Sequence, residues 1–158
     1  MGKVLAGITT SVDGYVAGPN DGPGNGLGDG GERLHYWVFG GPWTYEQDAS
    51  GEALGEPTGA AADWLAQAME RVGAVVGGRW TYEAADRWGG RNPWGTPFFI
   101  VTHRPEDVPA DSPLTFVSGV EEAVERAREA AGDKDVQVMG GADVIRQALA
   151  PGLQVERL

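Results

Sequence analysis

The sequence contains no cysteine, which excludes disulfides, thiolate nucleophiles and the common structural zinc sites and fits a reducing compartment. Positive charge is scarce: 12 Lys and Arg stand against 23 Asp and Glu, a formal net charge of -11. Such a surface repels polyphosphate backbones and anionic headgroups, so neither nucleic acid nor a membrane is an expected partner. No stretch approaches the roughly 18 apolar residues of a membrane span. The opening MGKVLAGITT has no basic segment leading into a long apolar core. These absences describe a cytoplasmic protein. The two histidines, His35 and His103, are not spaced as metal ligands, and no metal is expected.

What is present is glycine, 26 residues of it, in a chain of 158 that is 41% hydrophobic. A chain of this length buries a core without staples and forms one domain, here 1–158, with loops carrying much of it. The periodicity predicts strands at 3–10, 74–76, TPFFIVTH, LTFV and DVQVMGG, with a further strand beginning in LQVERL. Helices are predicted at 63–72, where Trp64, Leu65, Ala68, Met69 and Val72 share one face, at 79–86, and at ADVIRQALA. Ser118 and Glu121 have the spacing of a capping box ahead of another helix. Alternation of strand and helix predicts an α/β fold whose mostly parallel sheet carries helices on both faces and binds ligands at the carboxyl ends of its strands.

Two segments, AVVGGRWTYE and VQVMGGADVIRQAL, each run strand, Gly-Gly, helix. A glycine pair lets a ligand approach the backbone amides, and a helix start favours an anion. Arg79 stands at one of these starts, where the dipole disfavours a cation, so an anion nearby is one explanation. A salt bridge to Glu83, four residues on, is the other. Thr102, His103 and Arg104 end a strand with a hydroxyl, an imidazole and a guanidinium, a set suited to a phosphate monoester such as the ribose 2′-phosphate. GLGDGG at 26–31 satisfies G-x-G-x-x-G but follows loop residues and not a strand, so it is taken as a flap.

Two carboxylates are candidate catalytic proton donors: Asp13, in the turn after the first strand, and Asp63, at the start of a helix. Each also has a plainer reading, as a turn former and as a partner of the helix dipole. Tyr36, Trp37, Phe39, Trp43 and Trp64 are able to stack a flat heterocycle or to pack a core. Trp43 and Trp64 are taken as substrate-binding candidates.

The order of TTSVDGYVAGP, VVGGRWTYE, FFIVTHRP, FVSGVEEAVERA and VQVMGGADVIRQAL resembles the dihydrofolate reductase-like superfamily, most closely bacterial proteins related to the reductase domain of the riboflavin-biosynthesis deaminase-reductase. The resemblance implies that fold, in three layers, with NADPH as cofactor and a small pteridine-like or pyrimidine-like substrate. It sets Gly78, Arg79 and Thr81 near the cofactor phosphates, and Thr102, His103 and Arg104 at the 2′-phosphate. Ser118 falls beside the adenine, and Gly140, Gly141, Ala142 and Asp143 under the pyrophosphate. Thr9 and Ser11 line the nicotinamide side, and a loop that covers it includes Gly18. Family members continue into further strands that make dimer contacts. The sheet is therefore expected to be shortened at its C-terminal side, and a homodimer is one way to cover the open edge. An NADPH-dependent reductase is the main expectation, and a nucleotide-binding module without turnover is the alternative.

Overall fold

The computed structural model describes residues 2–40, 57–150 and 156–157. In chain order the elements are β1 (Val4–Ala6), α1 (Tyr36–Phe39), α2 (Gly59–Arg71), β2 (Val72–Gly78), α3 (Arg79–Ala84), β3 (Phe98–Val101), β4 (Thr115–Val117), α4 (Val120–Ala131), β5 (Asp135–Gly140), α5 (Ala142–Ala148) and β6 (Glu156–Arg157). Short 3-10 turns lie at Gly31–His35, Asp86–Gly90 and Pro105–Asp107. The six strands form one sheet in the order β4-β3-β2-β5-β1-β6, and every pairing is parallel.

A strand turns successive side chains to opposite faces, so an unbroken apolar run feeds two cores at once. In β3, Phe99 and Val101 join Val4, Ala74, Val76 and Val138 under Val120, Ala123, Val124 and Ala127 of α4 and Val144 and Ala148 of α5. Phe98 and Ile100 point the other way, to Val72, Val75, Leu114 and Tyr82 of α3, with Trp88, Trp94, Phe116 and Met139 at the margin. The result is three layers.

Several boundaries differ from expectation. β1 is three residues long, because the chain turns into its loop after Ala6. The helix expected at 63–72 begins at Gly59 and has no buried residue, and Val72 opens β2. Its predicted apolar face is accordingly half-open, with Trp64 50% and Met69 42% exposed. The capping box is not formed: Gly119 is the N-cap of α4, and the Ser118 hydroxyl instead donates to Glu122 Oε2 at 3.3 Å. α3 ends at Ala84, and Asp86, Arg87 and Trp88 have φ of 46, 53 and 49°, a left-handed turn that sends the chain back toward β3.

Divergence of the chain beyond two adjacent strands defines a crevice. From β2 the chain passes through α3 on one face toward β3; from the adjacent β5 it passes through α5 on the other face toward β6. Adjacent parallel strands whose connections leave in opposite directions form a crevice beyond their carboxyl ends.

Candidate functional site

The residues that follow the strands are, across the sheet, Ser118 after β4, Thr102 to Arg104 after β3, Arg79 after β2, Gly141 after β5 and Gly7 to Thr9 after β1. Parallel pairing puts them all along one edge. Four inter-strand spacings of about 4.8 Å make that edge about 19 Å long, a scale suited to an extended ligand.

At the crevice the two glycine pairs meet. A Cβ on Gly78 would lie 2.9 Å from Val144 Cγ2 and 3.3 Å from the Gly141 nitrogen. One on Gly141 would lie 3.5 Å from the Thr81 hydroxyl, which also faces Gly140. Gly140 has a φ of +128°, a conformation that favours glycine, and the Gly140–Gly141 peptide is cis. Gly78 is thus glycine because β2 and α5 approach closely, and the side-chain-free backbone leaves Thr81 as the polar group over the junction. α3 has six residues and α5 seven, about two turns or fewer. The attraction for an anion therefore rests on Arg79, not on a long helix dipole.

Arg79 is 9% exposed. Its Nε donates to Glu83 Oε1 at 2.7 Å, and its Nη2 is 2.5 Å from the same oxygen. The salt bridge foreseen between positions i and i+4 is therefore present. It leaves Nη1 buried with no hydrogen-bond partner among the described residues, a state that costs about 1–3 kcal/mol. Arg87 Nε donates to the other Glu83 oxygen at 3.1 Å. Burial raises the Glu83 carboxyl, but the hydrogen bonds and charges of Arg79 and Arg87 outweigh it and hold the group below its ordinary value. Beyond Glu83, Asp107 Oδ2 lies 3.9 Å from Arg79 Nη2 and 3.7 Å from Arg104 Nη1. Thr102 is buried, and its hydroxyl accepts the Arg104 backbone N–H at 3.1 Å. His103 and Ser118 are exposed.

The loop after β1 builds a second feature. Ser11 Oγ donates to Asp13 at 2.6 Å and accepts the Tyr15 N–H at 2.8 Å, forming a closed turn. That turn and Gly18, Asp21, Asp29 and Arg33 line a cleft of about 720 Å³. The GLGDGG stretch is tied down, its Leu27 carbonyl accepting the Gly18 N–H at 2.8 Å and its Asp29 N–H donating to Pro19 at 2.8 Å. Thr9 Oγ1 accepts the Trp37 indole N–H at 3.1 Å, and Trp37 packs against Trp64 with centroids 5.6 Å apart.

The structure brings Gly78, Arg79, Thr81, Gly140 and Gly141 to one place, and Arg79, Thr102 and Arg104 to an adjoining one. Ala142 and Asp143 are exposed, and Asp143 accepts from Gln147 at 2.7 Å. Asp63 is exposed at the fifth position of α2, so it does not open the helix and its dipole reading is corrected. Trp43 lies outside the described residues. Trp37 was one of the aromatic residues considered for stacking, whereas Asp107 was not among the expected site residues; it stands 28 positions after Arg79 and carries no periodic signal. Among the described residues no group of three or more His, Cys, Asp or Glu is arranged to hold a metal, and no helix is long and apolar enough to cross a membrane.

These features define a parallel α/β protein with a switch-point crevice. No family model and no curated protein matches the sequence. A solved structure of a protein from Shewanella sp. PV-4, provisionally named as a riboflavin biosynthesis protein, is 21% identical, with a TM-score of 0.56 over 100% of this chain and 77% of its own. Dihydrofolate reductase from Enterococcus faecalis, complexed with NADP(H) and RAB-propyl, is 18% identical over 98% of this chain and 68% of its own, with a TM-score of 0.48. The chain thus shares its fold with the Shewanella structure, and its parallel α/β architecture is the one that the alternation of strands and helices predicts.

Proposed function

We propose that the chain is an NADPH-dependent reductase of a small, flat heterocycle. The observation that carries this is the meeting of the two Gly-Gly units beside Arg79, whose Nη1 is buried at the carboxyl edge without a partner among the described residues. A phosphate oxygen would give that N–H a charge-assisted partner, and the bare glycine backbone would let a pyrophosphate approach. Thr81, Gly140 and Gly141 would hold the pyrophosphate, Thr102, His103 and Arg104 the adenosine phosphate, Ser118 the adenine end, and Thr9 and Ser11 the nicotinamide end. Bound there, NADPH supplies a hydride.

The chain's own residues orient and protonate. The Trp37 indole N–H fixes the Thr9 hydroxyl, and the Trp37–Trp64 pair offers ring faces to a planar substrate. Asp13, which lines the cleft, is the proposed proton donor, and Asp63, exposed beside Trp64, is the second candidate.

One observation favours nucleotide binding without turnover as the second reading. The buried carboxylate among the described residues is Asp135, at the start of β5 and so at the opposite end of the sheet. It is held by Arg71 at 2.6 Å and by the Lys3 N–H at 2.8 Å.

Titration with NADPH and with NADH, followed by nicotinamide fluorescence, tests the reading. Binding of NADPH is expected, weakened in Arg79→Ala by about 1.5–3 kcal/mol, the range for a hydrogen bond to a charged group. If neither nucleotide binds, the proposal fails. If NADPH binds and no heterocycle in a pteridine and pyrimidine panel oxidises it, the second reading stands.

A further inference from the structure

We propose that Asp107 limits the preference of this chain for a 2′-phosphorylated nucleotide over an unphosphorylated one. The inference rests on the dinucleotide reading of the carboxyl edge and adds to it a residue that neither the motifs nor that reading assigns. One carboxylate oxygen, Oδ2, lies between the two guanidinium groups, 3.9 Å from Arg79 Nη2 and 3.7 Å from Arg104 Nη1. An anion bridging both arginines would have to take that position.

The charge around it is finely divided. Arg79, Arg87 and Arg104 face Glu83 and Asp107. Glu83 is committed to the Arg79 and Arg87 guanidinium groups by short hydrogen bonds within and beyond α3. Asp107 has no such commitment. Both of its ion pairs are long, its side chain is 46% exposed, and it sits on the Pro105–Asp107 turn in the β3–β4 connection. It is the carboxylate that a ligand can displace, and while in place it opposes a second negative group.

A ribose 2′-phosphate carries charge into this position and a plain ribose does not, so the opposition falls on one nucleotide class alone. Arg79 Nη2 and Arg104 Nη1, which face the carboxylate only at 3.9 and 3.7 Å, gain a closer partner when a phosphate replaces it. Asp107 thereby lowers affinity for the phosphorylated nucleotide below what the arginines alone would give. A charge-neutral isostere removes the opposition and leaves the turn's shape unchanged.

The test measures binding of NADPH, NADH, 2′,5′-ADP and 5′-ADP to the wild-type chain, Asp107→Asn and Glu106→Gln. The neighbouring Glu106 is exposed and controls for the overall field. In Asp107→Asn, NADPH and 2′,5′-ADP are expected to bind about tenfold tighter, about 1.4 kcal/mol, while NADH and 5′-ADP stay within about twofold. Glu106→Gln is expected to leave the selectivity ratio unchanged. Equal tightening of all four nucleotides, no change in any, or the same ratio shift in Glu106→Gln overturns the Asp107 assignment and leaves dinucleotide binding standing. Failure of all three proteins to bind any of the four overturns both.

Discussion

Gly78 is the residue whose chemistry is simplest to isolate. Its φ of -91° suits any amino acid, so a substitution there carries no backbone penalty, only the approach of Val144 Cγ2 at 2.9 Å and of the Gly141 nitrogen at 3.3 Å. Gly78→Ala is expected to destabilise the fold by about 1–3 kcal/mol through overpacking. Adding Val144→Ala is expected to recover part of the loss, and thermal melts of the four proteins in a double-mutant cycle measure the coupling. The glycine was legible in the sequence as half of a repeated strand-Gly-Gly-helix pattern, but the reason for it was not. The contact belongs to α5, 66 positions downstream by number, and nothing at position 78 reports it. Arg79 divides in the same way. Its pairing with Glu83 follows from helical spacing and was foreseeable, whereas the Nη1 left over, and the Asp107 oxygen shared with Arg104, exist only once β3 lies beside β2.

Helices α2 and α4 have similar lengths, 13 and 12 residues, and opposite fates. In α4 the apolar positions Val120, Ala123, Val124, Ala127 and Ala131 are all buried. In α2 none is. Val124→Ala removes two methyl groups from a side chain that is 0% exposed and is expected to cost about 2–3 kcal/mol, the transfer loss plus a cavity. Met69→Gln on α2 is expected to cost within about 0.5 kcal/mol, as at other open sites. Denaturant titration of the two variants compares them directly. Both helices show apolar residues at helical spacing, and that pattern located both. What it did not specify is the depth of burial, because depth depends on the layer laid over the sheet. The missing capping box has a related cause: Ser118 and Glu121 have the right spacing, but β4 ends at Val117 and the chain enters α4 through Gly119, one residue later than the pattern requires.

For the molecule as a whole, acid is expected to act partly through His35. Burial pushes its imidazole below the ordinary value of 6.5, against a smaller upward pull from its hydrogen bond to the Gly31 backbone. Well above pH 6.5 the group is neutral in both folded and unfolded chains and contributes no pH dependence. As pH falls below 6.5 the unfolded chain takes up a proton that the folded chain resists, so stability declines until the folded value is passed and is level thereafter. His35→Gln is expected to flatten that limb in thermal melts across the range just below pH 6.5. Glu83 acts lower: its depressed carboxyl contributes stability above the ordinary 4.5 that is lost as pH falls through the folded value. By itself the sequence determined the alternation of strands and helices, the two-sided apolar runs that require covered faces, the glycine pairs and the local Arg79–Glu83 pair. All of these are set by spacing along the chain. The strand order β4-β3-β2-β5-β1-β6, the crevice between β2 and β5 and the place of Asp107 between Arg79 and Arg104 were decided by tertiary structure alone. Packing a sheet from both faces selects which strands become neighbours, and only neighbours bring distant residues within reach of one charge.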